Sequence, residues 1–343
     1  MQALSYRNEL PPGFLVASAR ELYRLLPGPT LVDLPGERPD PLFVSVLQHG
    51  NEDSGLRAIQ RLLADYAGRA LPRALTLFIA NPMAAQAGHR RLDGQPDFNR
   101  CWPGTDLAQN DATILLSEVF NAVRGRPLFA SVDIHNTSGD NPVYACVNTL
   151  DPTCLQLAAR FADTAVYFTR PRGLQAQAFL ELCPAVVLEC GRVGGETGVE
   201  AARAYLDGLL HSDTIAQGAP EPSALQLLRS IGLVEIRPDV HFSVGGGDAS
   251  AEFALDSGID RLNFRQLPAG TAFGEVRAER WPIRVTAPDG REISDRFFEI
   301  RAGQLRLKRS AMPSLLTPSA RIIRQDCLCH LMERFEPDGL AAA

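Results

Sequence analysis

Five apolar runs of strand length alternate with amphipathic segments through the first two-thirds of this 343-residue chain, and that alternation limits the folds open to it. The runs are Pro41–Gln48, Ala74–Ala80, Leu128–Ile134, Ala165–Phe168 and Ala185–Leu188, rich in β-branched and aromatic residues. Between them, Leu56–Tyr66, Asp111–Val123, Cys154–Ala162 and Val199–Leu210 carry apolar residues at helical spacings of three and four. Strands apolar along their whole length need cover on both sides. The pattern therefore predicts an α/β fold: a mixed, mostly parallel sheet with helices on both faces. In such sheets the working residues sit on loops beyond the carboxyl ends of the strands.

The texture changes after Gln217–Ser223 (QGAPEPS), which reads as a linker between a domain at 1–222 and a smaller β-rich domain at 223–343. There, short strand-like runs are broken by Gly, Pro and Asp, and Asp289-Gly290 is a hairpin signal. The tail Leu315–Phe335 reads as one strand or helix packing back on the first domain.

Four strings carry chemistry, each close behind an expected strand. In Gln48-His49-Gly50-Asn51-Glu52, a histidine and a carboxylate three residues apart can face one ion if the chain turns sharply between them. Gly50 is expected to supply that turn through a positive φ, and imidazole nitrogen and carboxylate oxygen suit zinc. The bland alternative is a turn histidine beside an acid capping the helix that begins near Ser54. In Ser131-Val132-Asp133-Ile134-His135-Asn136 a strand delivers a histidine at its end. A His, Glu, His set leaves a further position for water, as a catalytic zinc requires. In Val187-Leu188-Glu189-Cys190-Gly191 a glutamate ends a buried strand, so it needs a task or a partner such as Arg192 or Arg170. The last string runs from Asn81-Pro82 through Arg90-Arg91 to Asp97-Phe98-Asn99-Arg100, and arginines clustered near a metal suit a substrate carboxylate.

Together and in this order, the strings resemble the succinylglutamate desuccinylase/aspartoacylase family, within the zinc carboxypeptidase clan; the likeness spans roughly residues 41–200. The resemblance implies that His49, Glu52 and His135 hold one zinc ion and that Glu189 is the general base and acid acting on the zinc-bound water. It further implies that Asn99 and Arg100 bind a substrate carboxylate and that Asp97 orients the first zinc histidine. Arg90 matches the arginine that polarises the scissile carbonyl, with Arg91 as the alternative. The chain departs from members that cleave N-acyl-aspartate: Ala176–Pro184 lacks an arginine before the catalytic glutamate, and Tyr205 is its last tyrosine. Both departures touch the substrate pocket and leave the zinc chemistry intact.

Composition narrows the partners. A net charge of −6 argues against nucleic acid and anionic membranes, and no uncharged apolar run approaches the length of a membrane span. Seven scattered cysteines and a start without a basic or apolar leader pattern predict free thiols in the cytoplasm. Cys327-Leu328-Cys329-His330 lacks a second ligand pair, Gly245-Gly246-Gly247 lacks the setting of a phosphate loop, and Cys190 lacks a neighbouring histidine. The expected enzyme is thus a zinc deacylase acting on an N-acyl amino acid. Its alternatives are a metallocarboxypeptidase acting on a short peptide or peptidoglycan-like substrate with a free carboxylate, and a non-catalytic carboxylate-binding module. A second metal recruited through Asp53, Asp93 or Asp140, and a homo-oligomer, stay open at this point.

Overall fold

The apolar runs become strands because each is enclosed on both sides. The computed structural model describes residues 3–221 and 223–336. By their contacts these form two units, residues 3–136 with 143–226 and residues 137–142 with 227–336.

The first unit is built on β1 (Ser5–Arg7), β2 (Thr30–Leu34), β3 (Gly36–Val46), β4 (Leu71–Ile79), β5 (Ala130–Thr137), β6 (Val143–Val147), β7 (Thr164–Tyr167) and β8 (Ala185–Arg192). Across the sheet they lie in the order β1-β2-β4-β3-β5-β8-β6-β7. β3 runs parallel to β4 and β5, β1 to β2 and β6 to β7, whereas β2–β4 and β6–β8 are antiparallel. The sheet is mixed and mostly parallel, as the sequence predicts. β1, of three residues, and β2 and β6, of five each, are the strands the periodicity did not single out.

The helices of this unit are α1 (Ser54–Asp65), α2 (Pro82–Ala87), α3 (Asp111–Val123), α4 (Pro152–Phe161), α5 (Gln175–Phe179) and α6 (Glu196–His211). Alternation along β3 and β5 gives the sheet two apolar faces. On one, Gly55 of α1 abuts Val46 and Ile134. On the other, Phe43 packs against Phe179 of α5 at 4.3 Å between ring centroids, and Phe179 meets Phe120 of α3 at 5.7 Å. Leu56, Ile59 and Leu62 of α1 are buried, while Arg61 faces outward and pairs with Glu196 of α6 at 2.8 Å. Exposed pairs of that kind contribute at most about 1 kcal/mol, so apolar burial holds α1 in place.

In the second unit, Gln226–Ile236 pairs antiparallel with Ile283–Thr286 and with Cys329–Arg334, which in turn pairs with Met312–Ser314. A separate sheet comprises Phe242–Val244, Phe253–Leu255, Ala272–Val276, Gln304–Leu307 and Phe298–Arg301. Its first pair is parallel and the other three are antiparallel. Ala302 and Gly303 both take positive φ (50° and 71°), the conformation a two-residue hairpin needs between strands of right-handed twist. The tail becomes the short helix Ala320–Gln325 followed by the strand Cys329–Arg334. Phe253, Phe273, Phe298, Leu305 and Leu331 are fully buried in this unit's core.

The turn after β3 differs from expectation. Gly50 does not take a positive φ; Leu47 does, at 57°. Glycine is needed at position 50 because a Cβ there would lie 2.2 Å from the Ala84 carbonyl carbon and the Ala85 nitrogen of α2. Gly50→Ala must push α2 away from the loop that carries His49 and Glu52. We expect it to lower the unfolding free energy in urea titrations by about 1–3 kcal/mol.

Candidate metal centre and active site

β3, β5 and β8 are neighbours in the sheet, and each delivers one part of the site. His49 and Glu52 lie on the loop between β3 and α1, His135 lies in β5 and Glu189 in β8. The Nδ1 atoms of His49 and His135 are 3.1 Å apart. Glu52 Oε1 is 2.9 Å from His49 Nδ1, and Glu52 Oε2 is 2.8 Å from His135 Nδ1. All three side chains are about 95% buried. Among the described residues they are the one group of three or more His, Cys, Asp or Glu side chains whose donor atoms converge closely enough to hold an ion. Glu52 therefore turns to the histidines instead of capping α1, whose N-cap residue is Asp53.

The far side of each imidazole is occupied by a carboxylate. His49 Nε2 lies 3.1 Å from Asp97 Oδ1, and His135 Nε2 lies 2.9 Å from Asp133 Oδ2. An Nε2–H that donates to its carboxylate leaves the Nδ1 lone pair directed inward. Two inward lone pairs 3.1 Å apart repel unless a proton or a cation lies between them. The donor set thus fits a metal ion, and its nitrogen and carboxylate chemistry fits zinc.

The surrounding charges are balanced inside the protein. Burial pushes the Glu52 carboxyl up, but the charge of His49 and hydrogen bonds to both histidines outweigh it and hold Glu52 below its usual range. For Asp97 burial is likewise overcome, chiefly by Arg90, whose Nη2 is 2.9 Å from Asp97 Oδ2. For Asp133 burial is overcome by the charge of His135 and by hydrogen bonds from His135, Ser45 and Gln48. His135 shows the converse: burial lowers it, but Asp133 and Glu52 raise it well above an ordinary histidine. Asn136 ties the two motifs together. Its backbone N–H donates to Glu52 Oε2 at 3.2 Å, and its side chain donates to Ser54 Oγ at 2.9 Å and the Gly191 carbonyl at 3.2 Å.

Glu189 is partly buried, with Oε2 enclosed and lacking a hydrogen-bond partner among the described residues. Desolvation is the main cause that pushes its carboxyl up to about 7, with Glu52 adding to it and His135, His49 and Arg90 opposing. The charges that act on it most are those of His135, Glu52, His49 and Arg90.

The family model of the succinylglutamate desuccinylase/aspartoacylase catalytic domain matches residues 42–213. The chain belongs to this family. Solved structures with a similar fold include the succinylglutamate desuccinylase of Chromobacterium violaceum, 17% identical with a TM-score of 0.59 over 90% of this chain and 89% of that one. A succinylglutamate desuccinylase/aspartoacylase from Rhodobacter sphaeroides is 18% identical with a TM-score of 0.55 over 89% of each chain. Murine aminoacylase 3 is 14% identical with a TM-score of 0.54 over 87% of this chain and 96% of that one. At such identities these likenesses establish the fold. No curated protein matches the sequence.

Within this family fold, the arginines of the loop before the Asp97–Arg100 string separate. Arg90 points inward, donating to Asp97 and lying 3.5 Å from Glu52 Oε1. Arg91 donates instead to the Gln95 carbonyl at 2.6 Å. Arg100 donates to the Asn99 carbonyl at 2.6 Å. The Asn99 side chain is enclosed, with Nδ2 3.3 Å from Asp133 Oδ2 and 3.0 Å from His135 Nε2, and Oδ1 accepting from the Gln175 backbone N–H. Cys190 is buried, and burial followed by the Glu189 charge pushes its thiol far up, so it is no nucleophile. Asp53, Asp93 and Asp140 join no second group of converging ligands among the described residues.

Sequence reasoning missed Asp133 and Asn136. The signal for Asp133 was present: two residues before His135 on a strand, its side chain must share that face. Asp97→Ala and Asp133→Ala should each weaken zinc binding about 10–100-fold, read by competition with a chromophoric chelator. A second prediction concerns pH. Between about 4.5, the ordinary glutamate value, and about 7, folded metal-free protein holds a proton on Glu189 that the unfolded chain has lost. Stability of the metal-free protein therefore falls as pH rises through that interval. In denaturant titrations across it, Glu189→Gln should remove that part of the slope.

Proposed function

We propose that the chain is a zinc-dependent deacylase that hydrolyses the amide bond of an N-acyl amino acid. One observation carries the reading: Glu189, with an enclosed oxygen that has no hydrogen-bond partner among the described residues and with a raised proton affinity, stands within the field of a His49, Glu52, His135 donor set. Membership of an amidohydrolase family supports the reaction class, and a relative in fold is an aminoacylase.

His49, Glu52 and His135 would hold the zinc ion. Bound there, zinc supplies a Lewis acid that polarises the amide carbonyl and lowers the pKa of water. Glu189 removes the proton from the attacking water and later returns it to the departing amine nitrogen; a carboxyl raised toward neutrality can do both. Arg90, held by Asp97, offers its guanidinium to the developing negative charge on the carbonyl oxygen. Asn99 and Arg100 bind the substrate carboxylate, Asn99 doing so from a position where it also donates to Asp133. Residues 1–222 are the catalytic domain in this reading and residues 223–343 a β-rich domain. Among the described residues no helix is long and apolar enough to cross a membrane. Seven free, buried thiols support a cytoplasmic setting.

Chelation should abolish hydrolysis, and one equivalent of zinc should restore it. Glu189→Gln should lower kcat/KM by about 10²–10⁴ while metal analysis still finds one ion per chain. A panel of N-acyl amino acids and dipeptides tests the substrate class. Turnover of dipeptides alone would assign a carboxypeptidase instead, and zinc-loaded protein that hydrolyses neither would refute the reading.

A further inference from the structure

Beneath the site lies a polar cluster that the proposed chemistry does not use. Gln48 is 1% exposed, and Ser45, Trp102, Ser131 and Gln175 are fully buried. Trp102 Nε1 donates to Gln48 Oε1 at 2.8 Å. Gln48 Nε2 donates to Gln175 Oε1 at 3.2 Å and lies 3.4 Å from Ser45 Oγ, and Gln175 Nε2 donates to Ser131 Oγ at 3.1 Å. Ser45 Oγ in turn donates to Asp133 Oδ1 at 2.6 Å, so Gln48 reaches Asp133 through Ser45. Two backbone bonds close the circuit: Gln175 N–H to Asn99 Oδ1 at 3.1 Å, and Trp102 N–H to the Gly173 carbonyl at 3.1 Å.

Buried amides cost free energy unless bonded, and a filled network has one arrangement. In this one the Gln48 side chain is the common member. It joins the strand end that carries His49, the Ser45 that donates to Asp133 behind His135, the Asn99–Trp102 segment and the start of α5. An apolar side chain would fill the same volume between Trp102 and α5, so packing alone does not call for an amide.

We infer that Gln48 is a positioning residue that sets two things at once: the orientation of the Asp133–His135 pair toward a bound metal, and the placement of the Asn99–Arg100 segment toward the substrate carboxylate. The inference rests on the proposed deacylase reading only for its second half. Gln175 and Trp102 act as its two anchors, one toward Asn99 and one toward the backbone after Arg100.

Three variants of the full-length protein test this. Gln48→Met keeps the volume and removes the amide's hydrogen bonds to Trp102, Gln175 and Ser45. Trp102→Phe removes one donor to Gln48 and keeps an aromatic ring between Phe78 and Phe179. Gln48→Glu retains the acceptor for Trp102 and loses the donor side. Each is first checked for a cooperative melt. Zinc affinity is read by chelator competition, and KM and kcat on the best N-acyl amino acid are read separately. Gln48→Met should weaken zinc about tenfold, the lower end for residues behind metal ligands, and raise KM more than it lowers kcat. Trp102→Phe should raise KM several-fold with zinc affinity nearly unchanged. Gln48→Glu should keep the environment of Trp102, read as its fluorescence in a Trp281→Phe background, whereas Gln48→Met should shift that emission.

Wild-type zinc affinity and KM in folded Gln48→Met would overturn the inference. So would an equal loss in every variant that followed the melting temperature, which marks a purely structural role. If the wild-type protein hydrolyses no N-acyl amino acid, the deacylase reading fails; the zinc and fluorescence measurements still decide the role of Gln48 toward Asp133.

Discussion

Everything at the site depends on holding two imidazole nitrogens and a carboxylate in one small space without an ion's help being built into the chain. Two Nδ1 atoms 3.1 Å apart are unfavourable neighbours in isolation. The protein makes the arrangement tolerable from behind. Asp97 and Asp133 take the far Nε2 atoms, Asn136 pins Glu52, and Arg90 neutralises charge on the side of Asp97. These partners sit on a buried strand, on a tightly bonded loop or beside a helix start, so the geometry is pre-set before any ligand arrives. A less rigid scaffold would let the histidines swing apart.

The sheet supplies that rigidity. β3, β5 and β8 are adjacent and buried, with Val44, Val132, Val186 and Leu188 wholly inaccessible to solvent. Strands about 4.8 Å apart bring side chains from distant parts of the chain into one cluster. That is how His49, His135 and Glu189, far apart in sequence, share one electrostatic environment. Glu189 illustrates what the environment does. In water it would be an ordinary carboxylate, but with one oxygen enclosed beside Glu52 its proton is held to near neutrality.

Several features were visible in the residues themselves. The alternation of apolar runs and amphipathic segments pointed to the mixed sheet covered on two faces, because burial on both sides leaves a continuous apolar signature. α3 spans the same residues, Asp111–Val123, that periodicity marked, since Asn110 caps it and its apolar face is regular. The ordered motifs also indicated the family. The short strands β2 and β6 escaped notice, as five residues hold too little pattern to distinguish from a loop. The parallel pairing of Phe242–Val244 with Phe253–Leu255 left no local mark either.

Sequence alone thus determined the longer elements of the first unit, the class of fold, and which residue types with metal-binding chemistry follow which strand, because these depend on local spacing and on what a buried strand must look like. Only the tertiary structure decided why Gly50 is glycine, which of Arg90 and Arg91 turns inward, and that Asp133, Gln48 and Asn136 stand behind the ligands. Those facts depend on backbones and side chains remote in sequence meeting at 2–3 Å, a distance relation that no local pattern encodes.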